Sequence, residues 1–302
     1  MKYEKEYKIR LSEDEEKVIE FVSKKLANGK RIQELQILKR ILTYAHGLSK
    51  IGLFAGLSED MREYGKNISQ DQKENIVNVM TNKFPAGASK KTYSQCVFME
   101  QEGNDYKPTK LFMQMLANDE FYGVLQELVD FGISRYERDY KNTYDQTDLV
   151  LYQKYTYEDV CRLLNWEQNE VPLNIGGYKY DKKTKTFPVF INYDKDESVV
   201  DTQQYADHFI DAQNFVAMSK SNVRITNQGM EKFVKAAENK TNIYLFIRKN
   251  KDDAASKEFY YLGEVYISKI EETTMANDVP VCEIYYHLDQ PVRSDIYDYI
   301  LS

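Results

Sequence analysis

An α+β fold is predicted: a mainly helical region over residues 1–165, then a small β-barrel with packed helices over residues 166–302. Two observations predict it. Apolar residues recur at helical spacing through the first half, and after Pro172 they give way to short strand-like runs at regular intervals. The third support is size: 302 residues suit about two domains of ~150 residues, each able to bury a core without metal or disulfide staples.

The helical elements can be read in order. Ser12 with Glu15 forms a capping box, and Val18, Phe21, Val22 and Leu26 follow at helical spacing up to Asn28-Gly29, a natural C-cap. Ile32, Leu35, Leu38, Ile41 and Leu42 mark a second helix. Ser69 and Gln72 open a third, carrying Ile76, Val77 and Met80. A strand is expected from Tyr93 to Glu100, ending at the turn Gly103-Asn104-Asp105. Helix, helix, helix, strand is the order of a winged helix. From Pro108 a helical hairpin runs to about Tyr140, with Leu111, Met115, Phe121, Leu125 and Leu128 as its core face.

The period then changes. Residues 149–155 alternate like a strand, and Thr156 to Asp159 cap a short helix ending at Asn165-Trp166. Strands are expected at 177–180, 187–193, 243–248, 259–267 and 279–287, with one amphipathic helix at 228–237 and a strand bend at Gly263. The domain boundary falls near 165–174.

Charge and composition narrow the function. Hydrophobic residues at 42% and charged residues at 29% describe an ordered chain, and a net charge of −7 excludes a generally basic nucleic-acid coat while leaving room for a local basic groove. Cys96, Cys161 and Cys282 stand far apart, so no disulfide framework or CxxC zinc site is expected, as suits a reducing cytoplasm. No apolar h-region opens the sequence, and no run nears the ~18 apolar residues of a membrane span. A soluble, cytoplasmic chain without a membrane partner is expected. The 25 tyrosines suit half-buried strands and also suit base stacking, while a Lys-, Asn-, Ile- and Tyr-rich, AT-biased genome accounts for them without either.

Catalytic signatures are missing. There is no GxxxxGK[ST] loop, GxGxxG, HExxH, HxK or GxSxG, and His46, His208 and His287 stand apart from one another. Glu15-Glu16-Lys17 and Glu238-Asn239-Lys240 match the Glu-x-Lys step of metal-dependent nucleases, but both lie in Glu- and Lys-rich, solvent-facing helical runs. The expectation is a binding module with no catalytic residue, no metal and no cofactor.

Several segments are distinctive together. They are Tyr157-Glu158-Asp159-Val160-Cys161-Arg162-Leu163-Leu164-Asn165-Trp166, Asn174-Ile175-Gly176-Gly177-Tyr178, and Thr186-Phe187-Pro188-Val189-Phe190-Ile191-Asn192-Tyr193. Tyr205-Ala206-Asp207-His208-Phe209, Phe259-Tyr260-Tyr261-Leu262-Gly263 and the ending Asp295-Ile296-Tyr297-Asp298-Tyr299 complete them, with Asn28-Gly29-Lys30-Arg31 and Glu34-Leu35 upstream. In this order they resemble the C-terminal domain of unknown function of bacterial DEAD/DEAH-type superfamily 2 helicases, which often carry a phospholipase-D-type nuclease domain.

The resemblance implies a part or relative of a modification-dependent restriction or phage-defence enzyme. Its barrel is then SRA/PUA-like and recognises methylated cytosine in duplex DNA. The implied partners are double-stranded DNA and helicase and nuclease domains or subunits, with a homodimer also open. An enclosed modified base has to leave the stack, and its pocket needs stacking faces plus an acceptor for the cytosine amine. The residues expected at the base are Tyr193, Tyr205, Asp207 and Ser219, with Asp207 as acceptor, Tyr205 as stacking face and Tyr193 as opposite wall. An alternative is open: residues 205–209 begin an amphipathic helix with Tyr205 and Phe209 in the core.

Family members tend to have a tryptophan where this chain has Ala217, whereas Ser219 and Lys220 match the pattern and are placed to hold a phosphate. For the DNA backbone the expected residues are Lys182, Lys183, Lys185, Lys220, Arg248 and Lys249, the two loop clusters (Lys179 to Lys185, and Arg248 to Lys251) both sitting on the barrel rim. The competing function is a coupling module that links motor to nuclease or mediates dimerisation without reading a base.

Overall fold

The computed structural model of the protein describes residues 10–44, 52–144, 147–170, 178–194, 207–250, 257–275 and 278–302. The chain forms two compact units, one from Met1–Thr143 with Asn165–Asn169, the other from Tyr144–Leu164 with Glu170–Ser302. Residues 144–164, expected with the helical region, therefore belong to the second unit. The reason is strand pairing: Lys154 and Tyr155 pair with Tyr260 and Phe259, and the Tyr152 N–H donates to the Tyr261 carbonyl at 2.8 Å.

The first unit is built on helices α1 (Glu13–Phe21), α2 (Gln33–Tyr44), α3 (Leu53–Glu63), α4 (Gln70–Met80), α5 (Ser89–Thr92), α6 (Lys110–Met115) and α7 (Asp119–Arg135). The capping box is present: Ser12 Oγ accepts from Glu15 N, and the Glu15 carboxylate accepts from Ser12 N. A π-helical turn, Val22–Leu26, extends α1 to Gly29, whose φ is +74°. A Cβ there would lie 2.8 Å from the Tyr136 backbone nitrogen and 2.9 Å from the Gly132 carbonyl, so only glycine permits this close approach.

Two expectations are corrected here. The strand is Met99–Glu102 (β1), hairpinned to Asp105–Pro108 (β2) rather than running from Tyr93. The preceding backbone is bound elsewhere: Phe98 N donates to the Met80 carbonyl at 2.8 Å, and the Thr109 hydroxyl donates to the Val97 carbonyl at 2.8 Å. The helical hairpin also changes phase. Asn118 caps α7 and resets the turn, so the core face is Phe112, Met115, Phe121, Leu125 and Val129, while Leu111 is exposed.

In the second unit, β3 (Lys154–Tyr155) and α8 (Tyr157–Leu163) precede the long strands β4 (Thr186–Asp194), β7 (Asn242–Asn250), β8 (Phe259–Met275) and β9 (Val279–Leu288). Two short strands not anticipated, β5 (His208–Asp211) and β6 (Asn214–Met218), and a C-terminal helix complete the sheet and its cover. Strand order is β4-β7-β8-β9-β6-β5, with β3 on β8. Among the described residues of this sheet only β4 and β7 run parallel, and the other strand pairings are antiparallel. The fold is α+β and the sheet curls into a half-barrel. Curling follows from β8, whose first residues pair with β7 and whose remainder pairs with β9, with one register shift in each pairing. Gly263, at φ +114°, supplies the first bend.

One face of the sheet, with Phe187, Leu245, Phe215, Ile284 and Tyr286, is covered by Met230, Phe233 and Ala236 and by Ile296 and Ile300. The covering segments are a 3-10 turn, Gln228–Met230, continued by α9 (Glu231–Val234), and α10 (Ser294–Leu301). The opposite face stacks Phe190 on Phe246 at 4.9 Å and carries Tyr157 and Phe259. Strand alternation separates the two faces. Each buried phenylalanine contributes about 1.5–3 kcal/mol of burial. Among the described residues no helix is long and apolar enough to cross a membrane.

Candidate nucleic-acid interface

Tyr178 forms an isolated antiparallel bridge with Val189 of β4, which holds its ring against the edges of Phe187 (5.9 Å) and Phe233 (5.0 Å). Two ammonium groups converge on that ring. Lys232 of α9 lies 5.1 Å from its centroid and Lys220, just after β6, lies 5.4 Å from it. Lys232 also lies 5.4 Å from the Phe187 centroid. Among the described residues neither lysine has a carboxylate partner, whereas Lys179 pairs with Glu170 at 3.2 Å. The half-buried Lys232 ammonium is held below its usual 10.5 by burial first, then by Lys220 and Lys179. Two ammonium groups over one aromatic face, with the ion-paired Lys179 acting on one of them, make a local positive field on a chain of net charge −7. Such a field favours a polyanion.

Asp207 sits beside this cluster. Its Oδ1 accepts from the Met218 N–H at 2.9 Å. Together with Tyr178 it acts on the buried Tyr286 hydroxyl, which burial above all pushes well over its usual value of 10. In the described part of that stretch, strand β5 begins at His208 in place of a helix, and Phe209 enters the core. Tyr193 packs on Phe209 at 6.0 Å, two residues along from Asp207. Tyr205 lies outside the described residues, as do Lys251 and His46.

Ser219 is a correction. It is fully buried; its hydroxyl donates to the Lys220 carbonyl at 3.0 Å and accepts from the Cys282 N–H at 2.9 Å, and its own N–H donates to the Cys282 carbonyl. Strand pairing to β9 engages its N–H and hydroxyl, and the residue is buried away from any base at the surface. Ala217 is buried in the same core face, opposite Ile284 in β9.

The two lysine and arginine clusters do not share a rim. Because β4 and β7 are parallel and in register from Thr186↔Asn242 to Asn192↔Arg248, the turn carrying Lys182, Lys183 and Lys185 lies at their starts. Arg248 and Lys249 lie at their ends, roughly 20 Å away at ~3.3 Å per residue. The turn itself is ordered by Asp181, whose carboxylate accepts from Thr184 N (2.8 Å) and Thr184 Oγ1 (2.9 Å), and Lys185 adopts φ +55°. Arg248 donates to Asn192 Oδ1 at 2.6 Å and covers Phe259 at 4.4 Å, on the face away from Tyr178. Lys249 donates to Ser302 Oγ at 3.2 Å. Lys182, Lys183, Lys185 and Lys220 thus stay with the Tyr178 end of the sheet, and Arg248 and Lys249 do not.

Sequence reasoning missed Lys232 and the platform role of Tyr178. Lys232 reads as one more charge on an amphipathic helix, and only the packing of Phe233 into the sheet turns it over the ring. Among the described residues no three His, Cys, Asp or Glu side chains gather to hold a metal ion.

Residues 149–300 match a domain of unknown function, DUF3427, and residues 1–141 match a second one, DUF8090. No curated protein matches the chain. Among solved structures, the SUVH5 SRA complex with hemi-methylated CG DNA is similar at 10% identity and TM-score 0.34, covering 48% of this chain and 92% of that one. Arabidopsis thaliana SUVH6 in complex with SAM is similar at 11% identity and TM-score 0.36, covering 91% and 41%. KRYPTONITE in complex with mCHG DNA and SAH gives 8% identity and TM-score 0.36, covering 94% and 45%.

Proposed function

The chain belongs to the family of the domain of unknown function DUF3427, and we propose that its second unit binds duplex DNA. The observation that supports this is the convergence of Lys220 and Lys232 on the Tyr178 ring, beside the lysine-bearing turn at the start of β4. Phosphates brought to that field release counterions, and the release supplies sequence-independent affinity. A phosphate also offsets the repulsion from Lys220 and Lys179 that, after burial, lowers the Lys232 pKa.

Within this reading the recognised feature is a modified cytosine extruded from the duplex. Asp207 offers the carboxylate acceptor for the exocyclic amine, and Tyr193 a stacking face near it. The chain acts as the targeting module of a restriction or phage-defence helicase–nuclease, and carries neither ATPase nor nuclease chemistry itself.

The test is a titration of the protein against methylated and unmethylated duplexes at two salt concentrations, with ATPase and nuclease assays in magnesium and manganese. Salt-dependent binding with tighter capture of the methylated duplex is expected. Absence of binding at low salt overturns the DNA reading. Equal affinity for both duplexes removes the modified-base reading alone.

A further inference from the structure

A second surface of cations and rings lies where β7 ends and β8 begins. Lys154 of β3 stands directly opposite Tyr260 of β8, and Tyr260 stands opposite Ile247 of β7. Opposed residues project to one face, as does a residue two positions along a strand, so Lys154, Tyr260 and Lys249 share a face. The two lysines flank β8, with backbones roughly 10–12 Å apart at ordinary strand spacing and rise.

Helix α10 brings Tyr299 against Tyr260, edge to face, at 5.8 Å between centroids. The Lys154 ammonium lies 4.5 Å from the Tyr260 centroid, and the Lys249 ammonium lies 6.0 Å from that of Tyr299. Just before α10, Arg293 covers Tyr152 at 4.9 Å and also acts on Tyr260, while its fork is ion-paired with Asp295 at 2.5 and 2.8 Å. Two observations point to a ligand. Among the described residues neither Lys154 nor Lys249 has a carboxylate partner, Lys249 donating instead to Ser302 Oγ at 3.2 Å. Tyr299 is 37% exposed, so ring surface lies open beside those two charges.

We propose that this strip binds a single-stranded nucleic acid. Its phosphates meet Lys154 and Lys249, whose stems already lie over rings and so lose little freedom on binding. A base stacks on Tyr299. A duplex keeps its base faces inside its own stack and offers that ring nothing. An acidic peptide satisfies the lysines but leaves the ring uncovered. Of the carboxylates on α10, Asp295 is held by Arg293 and Asp298 opposes the lysines, so stacking carries the greater share and the salt dependence stays shallow. Arg248 takes no part, because it covers Phe259 on the other face of the sheet. No residue is shared with the Tyr178 cluster, so the strip stands or falls apart from the duplex reading.

The experiment uses the full chain carrying Lys220→Ala and Lys232→Ala, which silence the Tyr178 cluster. It is titrated with a labelled oligothymidylate, which contains no cytosine, and with an abasic strand, an A·T duplex of equal length and polyglutamate. Oligothymidylate is expected to bind, and the other three to bind far more weakly at the same salt. Adding Tyr299→Ala should weaken oligothymidylate at least about fivefold, the low end for one base–aromatic stack. Adding Lys154→Gln with Lys249→Gln should lower the salt slope by about 1.4, or about 0.7 for each phosphate contact on a single strand. If the Tyr299→Ala protein melts early, Tyr299→Leu must still weaken oligothymidylate for the proposal to stand. Equal binding of the abasic strand, the duplex or polyglutamate overturns the proposal, as does undiminished binding by the strip variants. Absence of oligothymidylate binding overturns it too, and leaves the duplex reading untouched.

Discussion

The Asp207 carboxylate accepts a hydrogen bond from the Met218 N–H at 2.9 Å, so the group proposed to meet a base also clasps the end of β6. The two roles separate by substitution. Asp207→Asn keeps an oxygen for Met218 but places a donor where the cytosine amine needs an acceptor. It should melt near wild type and lose roughly 1–3 kcal/mol of preference for modified duplex. Asp207→Ala removes the clasp as well and should cost stability by about 1–3 kcal/mol. Thermal melts beside DNA titrations decide it. Equal losses of Asp207→Asn on both duplexes would leave Asp207 only its structural role.

Lys220 and Lys232 are expected to carry phosphate contacts. Replacing both by Ala should weaken all DNA alike and flatten the salt dependence by about two units of slope. A single Lys183→Ala at the β4 turn should remove about one.

Lys232 also predicts a pH effect. Its folded pKa lies below the ordinary 10.5, so its charge is present at low pH and is lost as pH rises through that lowered value. DNA affinity should therefore begin to fall before exposed lysines titrate, and Lys232→Ala should lack this early fall. Stability moves the other way. Between the folded value and 10.5 the unfolded chain binds more protons, so stability attributable to this group rises with pH there. Lys232→Met, which keeps a stem over Tyr178 and Phe187 without the charge, should raise the melting temperature at neutral pH.

The Arg31 and Glu34 side chains are both 0% exposed. Arg31 Nε donates to both carboxylate oxygens at 3.0 and 2.9 Å, and its other nitrogens reach Asn75 Oδ1 (2.7 Å) and Asn165 Oδ1 (3.3 Å). Glu34→Gln leaves a buried guanidinium without its counter-charge and should cost about 3–5 kcal/mol. Arg31→Met with Glu34→Leu should recover most of that. Urea unfolding of the three proteins measures it, and a cost below about 1 kcal/mol for Glu34→Gln would contradict the burial.

Cys96, Cys161 and Cys282 are all buried, and burial pushes the first two thiols up to about 12 and raises the third. At pH 8 the thiolate is scarce and covered. A disulfide thiol reagent should react slowly with the folded chain and release three equivalents only after denaturant is added.

The sequence by itself determined the local structure that depends on neighbours a few residues apart. Ser12 with Glu15, Ser69 with Gln72, and Thr156 with Asp159 cap their helices as read, because a cap needs only the next turn. The long strands β4, β7 and β9 were legible from alternation, as was β8 as far as Ile267, with Gly263 at its bend, but not the continuation of β8 to Met275. The short strands β5 and β6 were not. Four and five residues give too few alternations; β6 pairs with β9, some 70 residues later, and β5 pairs with β6.

Tertiary structure alone decided which charges meet. Parallel pairing of β4 with β7 sent Arg248 and Lys249 to the far end from Lys182, Lys183 and Lys185, although the sequence makes both clusters look like one rim. Packing of Phe233 beside Phe187 set Lys232 over Tyr178, and pairing of β6 with β9 consumed Ser219. Capping and alternation are properties of a few consecutive residues. A site is a property of strand order and register, which distant backbone hydrogen bonds and core burial fix together.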